Sequence, residues 1–553
     1  MFASNELDSQ RSNVLATHAA VATSDPTATE VGLRLLKNGA NAAEAAVGVA
    51  AVLSLVDPGS GGLGGDCYIL FYDNKLKTVH GINGSGKTPK DLTIKLLSRC
   101  GISIENNPPY TYNEIPRASG FSVTVPGAPA GWLDCVQKFG SGMSLEELFL
   151  PAIQLAENGY PVHEVSARLQ QLNSFYLKNF KNSYGNDLLI NGNPPKAGQI
   201  LKNSKLASVL KELAKTGKEA FYKGRVAQAV VTTVQENGGC LTMSDMENHS
   251  STFNDLIIVD YQGYKIWEML PDGEGIIPSM GLNIFEDFNL GIESRMSASC
   301  IHKMIEATKH VYGEKFRNKI DHSDEPPETI LSKSHTDDAR NISILNSIAS
   351  SNYCPSINDR SIYFSVVDND GNACSFINSL YHYFGSGLVP ENCGFALQCR
   401  AMDFSLDEKH FNCVAPEKLP HHATIPGIAT YGPDNDFYAC FGLIGGYIQP
   451  QGHLQLLSNL IDYNMTPQSA LCYPRVNVSF NYDAAPIVNI EQGISEEIVK
   501  QLIKLGHKVA IVSGIDRIKF GRGQIIQVQH DDQGNRVYWC GSDSRADGCA
   551  IGF

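Results

Sequence analysis

Apolar residues recur along this chain with two different spacings, and the changes between them outline a mixed α and β protein. Asn38-Gly39 is a helix stop, and Asn41 with Glu44 three residues on is a capping-box start. The Ala, Val and Leu stretch that follows runs uncharged to Asp57-Pro58, so this helix is apolar nearly all round and is predicted to be buried. After a glycine loop, Cys67 to Asp73 reads as a buried strand, and helical spacing dominates from about Ser144 to Gln235. Strand patterns then return. Leu256 to Asp260 and Tyr264 to Glu268 flank Tyr261-Gln262-Gly263, and Ile362 to Asp368 and Ala373 to Leu380 flank Asn369-Asp370-Gly371, two hairpin signals. Phe437 to Leu443 and Gln524 to Gln529 are further strands. Between about Glu314 and Arg360 the sequence turns to Ser, Asn, Asp and Pro without periodicity, which predicts an exposed linker.

Composition narrows the class. A chain of 553 residues, 42% hydrophobic, is long enough for large cores, and its 50 Gly and 26 Pro imply many tight turns. The formal net charge of −14 disfavours nucleic acid as a partner. Among the 14 cysteines no CxxC pair occurs, which disfavours zinc ribbons and thioredoxin-like sites. Glu6, Asp8 and Arg11 interrupt the first twenty residues where a signal peptide needs an apolar run, and no segment approaches the ~20 apolar residues that span a bilayer. The expectation is a cytoplasmic protein with reduced thiols, no membrane anchor and unused sequons at Asn248 and Asn477.

Three motifs carry possible chemistry. Gly81-Ile82-Asn83-Gly84-Ser85-Gly86-Lys87-Thr88 satisfies the P-loop pattern, and Leu256 to Asp260 resembles its magnesium-binding strand. A P-loop needs a buried parallel strand before it, however, and Lys75 to His80 alternates like a half-exposed one. Nucleotide binding is therefore a remote alternative. Gly59-Ser60-Gly61-Gly62-Leu63-Gly64 fits GxGxxG but follows a helix and precedes a strand, the reverse of a dinucleotide loop, and reads as a tight turn. The third is Arg360-Ser361, at the start of the strand Ile362 to Asp368. The hairpin places Ser361 opposite either Leu380 or Ser379, and both registers bring the Ser361 and Ser379 hydroxyls into one neighbourhood. A hydroxyl residue there suits an N-terminal nucleophile, whose own α-amine, with a pKa of about 7.7, acts as general base; an ordinary sheet-edge serine is the competing reading.

Longer segments then accumulate in order: Asn38 to Ala45, Gly61-Gly62-Leu63-Gly64-Gly65-Asp66, Val125 to Trp132, Ser365 to Asp368 with Asp370-Gly371-Asn372, Phe384 to Gly387, and Gly445-Gly446 before Gln449 to His453. Through them the chain resembles the gamma-glutamyltranspeptidase (glutathione hydrolase) family over nearly its full length. Gly65-Asp66-Cys67, Asn83 to Gly86 and Phe441 to Gly446 resemble the glutathione-hydrolase-like branch that includes secreted centipede venom proteins. The resemblance implies an N-terminal-nucleophile hydrolase, an αββα sandwich built jointly by two segments of one self-cutting precursor. The cut implied is Arg360-Ser361, giving a large subunit 1–360 and a small subunit 361–553 that stay together. Ser361 would attack the γ-glutamyl carbonyl, with Ser379 supporting it and the Gly445-Gly446 amides as oxyanion hole. Asp403 would bind the substrate α-amine. The expected substrate is glutathione or a related small amide, with water or an amine as acceptor, and no cofactor or metal.

Several positions depart from the family pattern. Ser361 stands where the family usually has Thr, Ser85 where an Arg clamps the substrate α-carboxylate, His422-Ala423 where a Ser pair lies, Tyr381 for an Asn and Arg400 for a Gln. Arg400 is a candidate for supplying the missing positive charge. Two readings follow: a self-processing γ-glutamyl amide hydrolase or acyltransferase, and a family-derived binding protein whose catalysis has faded.

Overall fold

The computed structural model describes residues 11–103, 115–178, 180, 183–269, 274–318, 331, 359–410, 412–481 and 484–553. Two seven-stranded sheets form its centre. The first runs Val14–Ala16, Arg536–Ser542, Arg522–His530, Asp436–Ile444, Gly427–Tyr431, Tyr264–Met269, Leu256–Tyr261. The second runs Cys549–Gly552, Ala20–Thr23, Asp359–Val367, Ala373–His382, Asp66–Asp73, Thr78–Gly84, Thr252–Asn254. Each sheet therefore contains strands from both sides of Ser361, so neither segment can complete a sheet alone.

Period-2 alternation on these strands separates three cores. On Asp359–Val367, Ile362, Phe364 and Val366 face a helical layer, while Tyr363 and Val367 face the other sheet. The helical layer includes Pro26–Lys37, Ala42–Val56 and Leu145–Asn158. On the far side of the first sheet, Phe441, Leu443 and Ile525 pack with the helices Ile276–Phe288, Ala298–Asn318 and Ile448–Ile461. The architecture is the expected αββα sandwich.

The helix Ala42–Val56 is buried at all of its 15 positions, as its unbroken apolar composition requires. Its capping box is present: the Glu44 amide donates to Asn41 Oδ1 at 3.1 Å and the Asn41 amide to Glu44 Oε2 at 2.9 Å. Asp368, from the hairpin turn, accepts from the Ala42 amide at 2.9 Å and thereby joins the Ser361 hairpin to this helix. The other hairpin turns through Gln262-Gly263, both at positive φ, as a two-residue primed turn requires. Helical spacing between Ser144 and Gln235 is interrupted by the short strand pair Tyr160–Pro161 and Ile200–Leu201. The linker prediction starts too early, since the helix Ala298–Asn318 passes through Glu314; the remainder falls, except for residues 331, 359 and 360, outside the described residues.

The P-loop reading is overturned. Thr78–Gly84 is antiparallel to both neighbours, no helix follows Lys87-Thr88 directly, and Leu256–Tyr261 lies in the opposite sheet. Gly86 is glycine because the crossing chain leaves no room: a Cβ there would lie 1.5 Å from the Val125 carbonyl oxygen. Its amide donates to Asp66 at 3.0 Å, so a carboxylate already occupies the position a phosphate would take. Mg-ATP is therefore expected to leave the melting temperature unchanged, whereas a ligand at 100 times its Kd would add about 2.7 kcal/mol of stability. An ATP-dependent rise that Lys87→Ala removes would contradict this. No described helix is long and apolar enough to cross a membrane.

Candidate active site

Strand pairing lines up side chains that are far apart in sequence. Ser361 pairs with Ser379, Ser379 pairs with Asp66, and Cys67 pairs with Gly84, the residue before Ser85. Directly opposed residues point to the same face, so Ser361, Ser379 and Asp66 form a row facing the space between the sheets. Of the two registers the hairpin allowed, the one opposing Ser361 to Ser379 is formed. The strand also begins three residues earlier than the alternation indicates, at Asp359 rather than Ile362. Its register shifts between Asp359 and Ser361, placing an irregularity at the Arg360-Ser361 peptide.

Ser361 and Ser379 are both buried, and the Ser361 hydroxyl donates to Ser379 Oγ at 3.1 Å. Ser379 Oγ also accepts from the Tyr381 amide at 2.9 Å and from Arg400 Nη2 at 3.1 Å. Three donors thus converge on Ser379 Oγ, one of them cationic, which fixes the oxygen that accepts the Ser361 hydrogen bond. Tyr381 is at φ +72°, a conformation costly for a bulky residue. Its hydroxyl donates to Asp403 Oδ1 at 2.9 Å, and the Arg400 guanidinium lies 4.5 Å from its ring centre. Asp403 is therefore tied to the same cluster, with His421 Nδ1 3.8 Å from its other oxygen.

Ser85 lies buried beside this row, not as a cation but as a hydrogen-bonded wall. Its hydroxyl donates to Asn83 Oδ1 at 2.6 Å and accepts from Tyr68 at 3.4 Å. Tyr68 meets the His422 ring edge-on at 4.7 Å, so Tyr68 and His422 line the region beside the clamp position. The local positive charge is Arg400, wholly buried and 3.8 Å from Asp66 Oδ2. Arg400 stands out in the sequence, whereas Asp66 and Tyr68 carry no local signal of a role, because only the cross-strand register brings Asp66 to Ser379 and Tyr68 to Ser85.

Gly445 and Gly446 follow the strand Asp436–Ile444 and precede the helix Ile448–Ile461. Their φ values of +135° and +71° belong to glycine, so the turn is accessible to this pair without side-chain strain. They lie on the facing sheet. Ile444 shares the inter-sheet core with Tyr363, and a Cβ on Gly442 would lie 2.3 Å from the Tyr363 ring. A surface cavity lined by Gly445, Tyr447, Asn477, Ser479, Phe480 and Lys519 opens beside this turn.

Burial pushes the Asp66 carboxyl up to about 7, against the opposing pull of Arg400 and the Gly86 amide. Between about pH 4 and pH 7 the folded protein then holds a proton on Asp66 that the unfolded chain has released. Stability falls as pH rises through that window. Asp66→Asn removes the contribution, so the stability gap between parent and variant should shift by a few kcal/mol across it. Urea midpoints of both proteins at several pH values test this, and parallel pH curves would refute it.

Residues 28–553 match the family described as Gamma-glutamyltranspeptidase. The chain is 31% identical to the glutathione hydrolase-like YwrD proenzyme of Bacillus subtilis, over 98% of this chain and 99% of that protein. It is 25% identical to the oxamate amidohydrolase proenzyme of Klebsiella pneumoniae, over 98% and 100% of the two chains. The crystal structure of cephalosporin acylase from Bacillus halodurans superposes with a TM-score of 0.86 at 32% identity, covering 100% of this chain and 99% of that one. Matched across nearly its whole length and built on the same sandwich, the chain belongs to the gamma-glutamyltranspeptidase family and is an amidohydrolase of the N-terminal-nucleophile type.

Proposed function

We propose that the chain is a precursor that cuts itself between Arg360 and Ser361, and that the new N-terminal Ser361 hydrolyses or transfers the acyl group of small amides. The observation that carries this reading is the buried Ser361-Ser379 hydroxyl pair at 3.1 Å, with Arg400 on the second oxygen. After cleavage the Ser361 α-amine takes the Oγ proton as Oγ attacks the substrate carbonyl. The tetrahedral oxyanion is held by the backbone amides of the Gly445-Gly446 turn. Collapse passes the proton to the departing amine and leaves an ester on Ser361, which water or an acceptor amine resolves. Asp403 binds the substrate amino group.

The acyl donor is a γ-glutamyl amide or a related ω-carboxyl amide. Sequence kinship with a glutathione hydrolase-like proenzyme supports the first, and the absence of a cation at Ser85 supports breadth beyond it. The two products are residues 1–360 and 361–553. They stay together because both sheets are shared between them. Intact mass after incubation near neutral pH, with N-terminal sequencing of the smaller product, is expected to give two chains, one beginning Ser361-Ile362-Tyr363. A single intact chain would instead favour a binding protein without turnover.

A further inference from the structure

A second cluster of chemistry-bearing side chains joins the two segments. The helix Ala298–Asn318 carries His302 and Glu306 four residues apart, hence on one face, and Lys309 one turn on. His507, which precedes the strand Lys508–Val512, reaches the same face. His302 Nδ1 lies 2.7 Å from His507 Nε2, and a donor atom from each of His302, Glu306 and His507 falls within 4.8 Å of the others. Glu306 and His507 are buried and His302 is half-buried.

We propose that His302, Glu306 and His507 form a binding site for a divalent transition-metal ion of the zinc class, bridging the segments before and after Ser361. Two imidazoles and one carboxylate are a donor set suited to Zn²⁺ rather than Ca²⁺ or Mg²⁺, with a fourth position left for water. The arrangement already holds a cation. Lys309 Nζ lies 2.7 Å from Glu306 Oε1 and 3.0 Å from His507 Nδ1, so a lysine ammonium rests on two of the three ligands. A metal ion displaces it from Glu306 as the His302-His507 hydrogen bond opens. Nitrogens on a tetrahedral zinc are about 3.3 Å apart, so the imidazoles separate by only about 0.6 Å. The ring proton of His507 moves from Nε2 to Nδ1, the nitrogen that Lys309 vacates as it swings toward solvent, so the imidazole stays neutral and Nε2 is freed to ligate.

Lys309 is thus the built-in competitor, and this separates a metal site from a purely structural hydrogen-bond cluster. Untagged protein is titrated with Zn²⁺ by calorimetry and with Co²⁺ by visible absorption. The expectation is saturable binding of one ion, with the intense Co²⁺ absorption of a four-coordinate site. His302→Gln and Glu306→Gln should each weaken binding by at least about tenfold, and Lys309→Met should strengthen it by a similar factor. Circular dichroism of the variants checks that the fold persists. The proposal is overturned if neither the parent protein nor Lys309→Met binds either ion. It is equally overturned if His302→Gln and Glu306→Gln bind as the parent does.

Discussion

Ser361→Ala is expected to leave one uncut chain and to lower amidase activity by at least about 10⁴-fold, because in the proposed mechanism Ser361 Oγ attacks both the precursor peptide and the substrate. The substitution is small and the residue is buried against Ser379, so the fold should survive. The lost hydrogen bond leaves Ser379 Oγ with the Tyr381 amide and Arg400 as donors. Ser361→Thr should still cut and turn over, since it keeps the hydroxyl and adds the methyl that restricts χ1. Mass spectrometry and an anilide assay on the three proteins decide the matter. A cut, active Ser361→Ala protein would move the nucleophile elsewhere.

Substrate preference should follow the missing clamp. The α-carboxylate of a γ-glutamyl substrate carries a full charge, and losing a charge-assisted hydrogen bond to it costs on the order of 1.5 to 3 kcal/mol. Ser85 cannot supply that bond, since its hydroxyl is committed to Asn83 and Tyr68 in a buried wall. Arg400 is directed at Ser379 and Tyr381. The loss corresponds to roughly tenfold to hundredfold in kcat/KM, so γ-glutamyl and glutaryl p-nitroanilides should be discriminated less than in an Arg-clamped relative. Side-by-side kcat/KM values on the processed enzyme test this. A preference for the γ-glutamyl compound of about a thousandfold or more would mean that another cation has taken the clamp's place.

Much of the fold was legible because it is encoded by neighbours in sequence. The capping box at Asn41 and Glu44, the buried Ala42–Val56 helix and the strands around Asn369-Asp370-Gly371 rest on spacings of two to four residues. The Ser361 hairpin was legible for the same reason, down to two possible registers. The P-loop match at Gly81 to Thr88, disfavoured by the alternation of the strand before it, is accounted for at Gly86 by a backbone crossing with Val125 rather than by a phosphate.

What the sequence by itself determined was therefore the local repertoire: a mixed α and β chain, a buried helix, a hairpin bringing two serines together, and a resemblance carried by ordered motifs. Tertiary structure alone decided the rest of the site. Asp66 reaches Ser379 through pairing across 313 positions of sequence, Arg400 arrives from a short turn, and His302 meets His507 205 residues away. Periodicity reports which face of a strand or helix is buried, a property of adjacent residues. Register between distant strands is set only when whole layers pack, because a slip of one residue would turn every buried side chain of the strand to the opposite face.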